Sequence, residues 1–273
     1  MSGLIPDRII QTGKSIDLPL VNRVSVASLK SLNPTFDYRF FDDAAVTAFI
    51  SKEFPQYRDV FESFRFRIQR FDFFRYLAVY RFGGFYFDLD FFLGSGLSSL
   101  LETGCVFPYE GLTFSRYLRD THNMDWHIGN YAFGAAPGHP FIEAVIENCL
   151  RAQRDPSWAE PMMRGTPRLS RAEFTVLNTT GPGLISRTFS ENKSLADTVT
   201  VLFPEDPCDM RNWNRFGDFG VHLMDGTWRG SGRSMRRRVA QLLEGWVAGR
   251  RLSESLSLGK TRRVPQRILG MRT

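Results

Sequence analysis

Residues 70–90 have the sequence RFDFFRYLAVYRFGGFYFDLD, which predicts three consecutive structural elements. Its first part has the spacing of a helix, on which Asp72 and Arg75 are three residues apart and therefore share a face. Gly83 and Gly84 follow, and glycine readily adopts the positive φ that ends a helix and turns the chain. The aromatic run after them is typical of a buried strand. The stretch therefore predicts a helix, a sharp turn and a short strand.

Two carboxylates stand at the end of the predicted strand. Side chains alternate along a strand, so Asp88 and Asp90 are expected to point the same way, with Leu89 turned into the core. Two like charges on one face repel unless a cation lies between them, and a divalent cation held by few protein ligands can also bind substrate phosphates. The pattern therefore indicates a metal site that binds a diphosphate. A solvated turn with two exposed aspartates is the alternative.

The spacing R-x-D-x-x-R-Y-x-x-x-Y-x-x-G-G-x-Y-x-D-x-D resembles the DXD sugar-binding region of glycosyltransferase family 32. Four other segments resemble blocks of that family in the same order: IPDRIIQTGKS (residues 5–15), NYAFGAAPGHPF (130–141), TGPG (180–183) and HLMDGTW (222–228). Two positions depart from the family's opening block, because Ile10 replaces a histidine and Gly13 a tryptophan. The resemblance covers roughly residues 5–230.

This resemblance implies an α/β protein with a GT-A type nucleotide-sugar-binding fold, in which helices flank a mixed central sheet. It implies a metal-dependent, retaining glycosyltransferase that moves a hexose from a UDP- or GDP-hexose donor to a glycan, a glycolipid or another acceptor. Mn²⁺ or Mg²⁺ is the expected cofactor, held by Asp90 and His222. The candidate catalytic residues are Asp72, Arg75, Asp88 and Asp90. No nucleophile is assigned, since front-face attack by the acceptor needs none.

The predicted donor site draws on several parts of the chain. We expect Asp88 to contact hydroxyls of the ribose or sugar, Asp72 and Arg75 to orient the hexose, and Asn130 to contact its far side. The other predicted donor-binding residues are Gln11, Thr12, Tyr86 and Trp228. The first two follow a predicted strand, and ligands of open α/β sheets bind beyond strand ends. A plain structural role for Gln11 and an ordinary turn at Asn130 stay open as alternatives.

Apolar periodicity elsewhere predicts alternating helices and strands, the pattern of an α/β domain. Helices are predicted at residues 18–32, 43–53, 65–82, 139–153 and 184–189, and strands at 8–11, 36–41, 85–87, 105–110, 199–203 and 221–223. Residues 111–128 show no clear period and are expected to form a loop on the acceptor side. Residues 155–171 are rich in proline and polar residues, which favours an insertion or lid.

The composition limits the class of protein. A chain of 273 residues with 42% hydrophobic residues can bury a substantial core. Its three cysteines, an odd number at wide spacing, predict neither disulfides nor a zinc–thiolate site, as in a reducing cytoplasm. The pattern of a signal peptide is not visible at the start, and no segment reaches the ~20 apolar residues of a membrane span. We therefore expect a cytoplasmic protein, peripheral to the inner membrane if it binds lipid.

The positive charge is concentrated near the end of the sequence. From Arg229 onward there are twelve Lys or Arg and two Glu, a net charge of +10, whereas the whole chain carries +6. The apolar positions Val239, Leu242 and Trp246 have helical spacing. We therefore predict a catalytic domain at residues 1–230 and, at 231–273, a basic amphipathic helix with a flexible tail. Such a segment suits an anionic membrane surface; packing on the catalytic domain is the alternative. No nucleic-acid partner is expected.

Two other functional classes fit parts of the pattern. The D-x-D pair could belong to a phosphohydrolase of the haloacid dehalogenase type, but that motif normally has Thr two residues after its second aspartate, where Phe92 stands. A non-catalytic carbohydrate-binding or effector protein also stays open, because an intact motif does not prove turnover.

Overall fold

Ten strands in two sheets lie among residues 4–113, 115–164 and 170–223, the parts of the chain that a computed structural model describes. The strands are β1 (Arg8–Thr12), β2 (Asp37–Phe41), β3 (Gly84–Phe87), β4 (Phe91–Leu93), β5 (Cys105–Leu112), β6 (Trp126–Ile128), β7 (Ala132–Ala135), β8 (Thr200–Leu202), β9 (Arg215–Phe216) and β10 (Gly220–His222). The predicted segment 231–273 and Trp228 lie outside the described residues.

The same parts of the chain contain nine α-helices. They are α1 (Leu20–Leu32), α2 (Asp43–Glu53), α3 (Arg58–Ser63), α4 (Arg67–Phe82), α5 (Pro140–Arg154), α6 (Glu160–Met163), α7 (Arg171–Thr179), α8 (Pro182–Glu191) and α9 (Lys193–Ala196). Two of them begin with a side chain that accepts a hydrogen bond from the first turn. Asp42 accepts a hydrogen bond from the Ala45 N–H at the start of α2, and His139 Nδ1 accepts one from the Phe141 N–H at the start of α5.

The large sheet has the order β2-β1-β3-β7-β5-β6, with β8 also paired to β5. The pairs β1–β2, β1–β3 and β5–β8 are parallel, whereas β3–β7, β5–β7 and β5–β6 are antiparallel. The predicted α/β class with a mixed central sheet is confirmed. Because β1 and β3 run parallel as neighbours, their carboxyl ends, at Thr12 and Phe87, open onto one edge of the sheet.

The turn between α4 and β3 depends on two glycines. Gly83 has φ +64° and Gly84 has φ +102°, a region that side chains disfavour. A Cβ at Gly83 would also lie 2.7 Å from Pro6 and Pro137, and one at Gly84 would lie 2.7 Å from the Arg8 carbonyl oxygen. These glycines let α4 pass directly into β3, so the carboxylates after β3 come close to the inner face of α4.

Aromatic side chains fill the core around α4. Phe73, Phe74 and Tyr76 on this helix are fully buried. Phe107 of β5 stacks on Phe133 of β7 with ring centroids 4.9 Å apart. Helix α4 is thus held rigidly against the sheet, which suits a helix that carries site residues.

The small sheet has the order β4-β10-β9 and brings the end of the described chain to the D-x-D motif. In its register, His222 of β10 pairs with Phe91, the residue after Asp90. The backbone N–H of Leu223 donates a 2.8 Å hydrogen bond to the Asp90 carbonyl. An antiparallel pairing therefore delivers His222 to the two aspartates.

Most predicted elements are present, with α1 and α4 beginning two residues later than expected, but three expectations were wrong. Residues 111–128 are not a plain loop, since they include β6, which pairs with β5, and a π-helical turn at Tyr117–Thr121. Residues 155–164 are not a lid, since Trp158 and Met162 lie in the main core. Leu89 is only partly buried, because the chain turns after β3 and strand alternation ends there.

None of the described helices is long and apolar enough to span a membrane.

Candidate active site

Helix α4 presents a buried ion pair to the sheet edge. Asp72 and Arg75 are each 3% exposed, and Arg75 Nη2 lies 3.1 Å from Asp72 Oδ1. Their three-residue spacing places both on the inward face of the helix, as the sequence indicated. Burying an unpaired charge is costly, so each of these residues depends on its partners.

The guanidinium of Arg75 joins three parts of the fold. Nη2 also lies 3.2 Å from Asp88 Oδ1, after β3, and Nη1 donates a 2.8 Å hydrogen bond to the Asn130 carbonyl, before β7. Its Cζ lies 4.6 Å from the ring centroid of Tyr86, within cation–π distance. A planar fork with several donors serves this arrangement better than the single ammonium of lysine could.

The carboxylate of Asp72 has two further partners. Oδ2 accepts a 2.9 Å hydrogen bond from Thr180 Oγ1, and Oδ1 accepts one of 3.2 Å from Asn130 Nδ2. The Tyr76 hydroxyl accepts a 3.1 Å hydrogen bond from the same amide and donates one of 2.6 Å to the Thr180 carbonyl. Thr180 and Tyr76 were missed in the sequence. Two features of the sequence could have indicated them: the TGPG block, which begins with Thr180, and the position of Tyr76 one helical turn after Asp72.

A second group of side chains surrounds the end of β3. Asp88, Asp90 and His222 each offer a ligand atom, and these atoms all lie within 4.8 Å of one another. His222 Nε2 lies 3.1 Å from Asp90 Oδ1, and the imidazole stacks on Tyr131 with centroids 4.5 Å apart. His222 Nδ1 is buried and has no hydrogen-bond partner among the described residues. Two carboxylates and an imidazole form a donor set that Mn²⁺ and Mg²⁺ accept.

The charges of the site support this interpretation. Burial raises the pKa of Asp72 to about 6, although the charge of Arg75 opposes the shift, and burial likewise raises the pKa of Asp88. Burial would lower the pKa of His222, but the hydrogen bond to Asp90 and the nearby carboxylates raise it overall. Three carboxylates therefore face one guanidinium and one imidazole. This excess of negative charge, together with the buried His222 nitrogen, fits a divalent cation.

Asp88 connects the two groups. Its Oδ1 contacts Arg75 and accepts a 2.9 Å hydrogen bond from the Tyr86 hydroxyl, while the residue also belongs to the group with Asp90 and His222. Its side chain keeps 25% of its surface exposed, against 4% for that of Arg75. Among Asp72, Arg75 and Asp88, Asp88 is thus the residue that a ligand reaches most easily. Tyr86, which is buried, donates its hydrogen bond to Asp88 from the protein interior.

The two predicted residues at the end of β1 lie near Asp88 but differ in their bonding. Gln11 is fully buried, donates a 3.2 Å hydrogen bond to the Asp88 carbonyl and accepts one of 2.9 Å from the Tyr38 hydroxyl. These two hydrogen bonds to the protein itself favour the alternative in which Gln11 has a structural role and does not bind the donor. Thr12 is 8% exposed, and its Oγ1 has no hydrogen-bond partner in the described part of the chain. A buried hydroxyl of this kind is available to a ligand.

Comparison with known proteins agrees with this geometry. Residues 21–106, which include both the α4 pair and the D-x-D motif, match the family profile described as "Glycosyltransferase sugar-binding region containing DXD motif". The predicted resemblance to the DXD glycosyltransferases of family 32 is confirmed. The match to this DXD glycosyltransferase region includes Asp72, Arg75, Asp88 and Asp90 but ends before His222.

The chain is also similar to curated proteins of two yeasts. It is 29% identical over 208 residues to a mannosyl phosphorylinositol ceramide synthase of Saccharomyces cerevisiae, covering 74% of this chain and 48% of that protein. It is 28% identical over 209 residues to inositol phosphoceramide mannosyltransferase 3 of Schizosaccharomyces pombe, covering 75% and 51%. The chain spans about half the length of these relatives.

One solved structure that aligns is the UDP-bound glycosyltransferase domain from the YGT toxin. It has a TM-score of 0.45 and 9% sequence identity, and the alignment covers 73% of this chain and 80% of that domain.

Proposed function

We propose that this protein is a retaining hexosyltransferase that moves a hexose from a nucleotide-sugar donor to a glycolipid acceptor, with Mn²⁺ or Mg²⁺ as cofactor. The observation that carries the proposal is the position of Asp88, which contacts Arg75 on one side and lies with Asp90 and His222 on the other. One carboxylate thereby links a cluster suited to sugar hydroxyls with a group suited to a diphosphate-bound cation. The GT-A type of fold implied by the sequence resemblance belongs to this proposal.

In this proposal the predicted ligands Asp90 and His222 would hold the cation, and Asp88, predicted only to contact hydroxyls, joins them because its carboxylate lies in the same group. When bound, the cation supplies Lewis acidity that stabilises the charge developing on the diphosphate leaving group. Stacking on Tyr131 and the pairing of β10 with β4 fix the ring of His222. The ligands are therefore positioned before the donor arrives, which is what a preorganised site requires.

Asp72 and Arg75 orient the hexose together with Asp88, whose side chain is 25% exposed whereas that of Arg75 is 4% exposed. Asn130 and Thr180 hold the Asp72 carboxylate, so its lone pairs point in fixed directions. We assign no nucleophile. The acceptor hydroxyl attacks from the face that the leaving group vacates, so the anomeric configuration is retained.

The choice of a glycolipid acceptor is supported by the relatives. The proteins reported above are named for a mannosyl phosphorylinositol ceramide product or for an inositol phosphoceramide acceptor. A UDP- or GDP-hexose stays the proposed donor, and a cytoplasmic location at the inner membrane stays the proposed location. Thr12, whose hydroxyl at the same sheet edge has no hydrogen-bond partner among the described residues, is the proposed contact for the nucleotide.

A donor panel tests the proposal. The full chain is incubated with UDP- and GDP-hexoses plus Mn²⁺, with and without an inositol phosphoceramide-type lipid, and nucleotide release is measured. We expect slow release from one donor alone and faster release with the lipid, both lost in Asp90→Asn. Phosphate release from simple phosphate esters would instead indicate a phosphohydrolase. Binding of a sugar without any nucleotide release would indicate a non-catalytic protein.

A further inference from the structure

Helix α1 buries one face against the protein and leaves a second, apolar face exposed. Ser25 and Leu29 point inward and are 1% and 0% exposed. On the other side, Leu20, Val21 and Val24 are 67%, 57% and 50% exposed. At 3.6 residues per turn these three residues lie within about a third of the helix circumference. They form a stripe that faces away from the core.

The surroundings of the stripe are basic. Ile16, 80% exposed, precedes the helix and extends the apolar surface. Arg23 and Lys30 are seven residues apart and share one side of the helix, where Arg23 is next to the stripe and the Lys30 ammonium lies 4.2 Å from the ring centroid of Tyr38. Helix α1 contains no acidic residue, and residues 13–32 contain three Lys or Arg against one carboxylate, that of Asp17. An apolar stripe with a cationic flank is the pattern of a helix that lies in the interface of an anionic membrane.

The helix is attached to the candidate active site. Asn22 Nδ2 donates a 3.1 Å hydrogen bond to the carbonyl of Leu89, the residue between Asp88 and Asp90. One turn and a half later, Ser28 Oγ accepts a 3.3 Å hydrogen bond from the Leu93 N–H in β4. A surface bound by the outer face of α1 would therefore lie one helix diameter from the D-x-D motif, about 10 Å.

We propose that Ile16, Leu20, Val21 and Val24, here called the α1 stripe, dock on an anionic lipid surface. Charge complementarity favours this occupant over the chain's own final segment, because residues from Arg229 onward carry a net charge of +10 and would be repelled by Arg23 and Lys30. Docking itself does not require catalysis. Its consequence, delivery of a lipid-borne acceptor to the donor edge, rests on the proposed function.

Vesicle sedimentation of the full chain tests the docking. The vesicles contain phosphatidylcholine alone or phosphatidylcholine mixed with phosphatidylglycerol. Leu20→Glu combined with Val24→Glu is expected to weaken binding to the anionic vesicles at least about tenfold, because two apolar contacts become carboxylates. Arg23→Gln and Lys30→Gln are each expected to weaken it about fivefold, and to leave binding to neutral vesicles unchanged.

Matched controls use exposed apolar residues outside the stripe. Leu4→Glu, at a side chain that is 66% exposed before β1, and Met210→Glu, at one that is 48% exposed, should bind vesicles as the unaltered chain does. The double variant should also keep its melting temperature and its nucleotide release from the donor alone. Lost vesicle binding with intact nucleotide release therefore supports docking and leaves the proposed reaction standing.

Three results would overturn the docking proposal. The first is vesicle binding that the double variant does not weaken. The second is a lowered melting temperature with unchanged vesicle binding, which would mean that the chain's own final segment covers the stripe. The third is a change of sedimentation coefficient without lipid, which would mean that a second copy covers it. Absence of nucleotide release in every variant would count against the enzyme proposal and not against docking.

Discussion

Thr180 Oγ1 donates a 2.9 Å hydrogen bond to Oδ2 of Asp72, across 108 residues of sequence. Asp72 stands on α4 and Thr180 at the junction of α7 and α8, so this bond connects the helical region after β7 to the candidate active site. The Thr180 carbonyl also accepts a hydrogen bond from the Tyr76 hydroxyl. A residue outside the D-x-D region thereby holds the orientation of a candidate catalytic carboxylate.

Replacing Thr180 by valine keeps the shape and removes the hydroxyl. A hydrogen bond to a charged group contributes about 1.5–3 kcal/mol, so we expect nucleotide release to slow about tenfold or more. Thr180→Ser should restore most of the rate. Thr188→Val removes an equally buried hydroxyl of α8, one that bonds the Leu184 carbonyl and Asn148 instead, and should affect stability but not the rate. Equal rates for both valine variants would contradict a positioning role for Thr180.

Arg75→Lys tests the link between the two halves of the site. Lysine keeps the charge but cannot contact Asp72, Asp88 and the Asn130 carbonyl together, so we expect nucleotide release to fall about a hundredfold or more. The guanidinium is buried, so the free energy of unfolding should also fall, by about 1–3 kcal/mol in thermal or urea unfolding. Arg70→Lys on the same helix, where the guanidinium bonds the Glu62 carbonyl, is the control. An unchanged rate with lowered stability would make Arg75 purely structural.

Asp90→Asn tests the metal site. The variant should lose most activity while its melting temperature changes little, because the carboxylate lies at the edge of the sheet and does not fill the core. EDTA should act likewise on the unaltered protein, with recovery on addition of Mn²⁺ or Mg²⁺. Asp43→Asn, which alters an exposed carboxylate paired with Arg67, is the control. Full nucleotide release in EDTA would refute metal dependence.

His127 should make stability depend on pH. Its Nε2 lies 2.7 Å from Thr113 Oγ1. The residue keeps some accessible surface, but protein atoms crowd its ring, and this burial lowers its pKa to about 4. Between pH 6.5 and 4 the unfolded state therefore binds more protons than the folded state. The free energy of unfolding should fall across this range as the pH falls, by about 3 kcal/mol from this residue.

Urea unfolding at a series of pH values measures this effect. His127→Gln should remove that part of the pH dependence, whereas the carboxylates contribute equally to both proteins. The control is His122→Gln, which alters a histidine at the end of the π-helical turn, where the imidazole packs against the ring of Tyr117. Parallel stability curves for the unaltered chain and His127→Gln would contradict the prediction.

The basic segment at residues 231–273 stays a predicted second membrane contact. A chain that ends after Gly230 should bind anionic vesicles more weakly than the full chain, and the difference should shrink at high salt because salt screens charge. Lipid binding indifferent to the truncation, to salt and to lipid charge would remove support for this contact.

Local patterns in the sequence were sufficient for the motif itself. A spacing of three on a helix and of two at a strand end is a property of local geometry, so the shared face of Asp72 with Arg75 and the pairing of Asp88 with Asp90 could be predicted. The turn at the two glycines between them could be predicted for the same reason, since a backbone with positive φ favours glycine wherever it occurs. The helical spacing of Leu20 and Val24 predicted a helix but not that this face would be left uncovered.

Contacts between residues that lie far apart in the sequence could not be predicted from local patterns. Thr180 donates a hydrogen bond to Asp72, and the side-chain amide of Gln11 bonds both Tyr38 and the Asp88 carbonyl. Packing of one face of α1 on the protein leaves its apolar stripe exposed to solvent. Such contacts follow from how whole helices pack on the sheet, and no local periodicity encodes them. Local sequence patterns therefore predicted the chemistry of the site, whereas the packing of helices on the sheet sets how deeply the site is buried and what holds it in place.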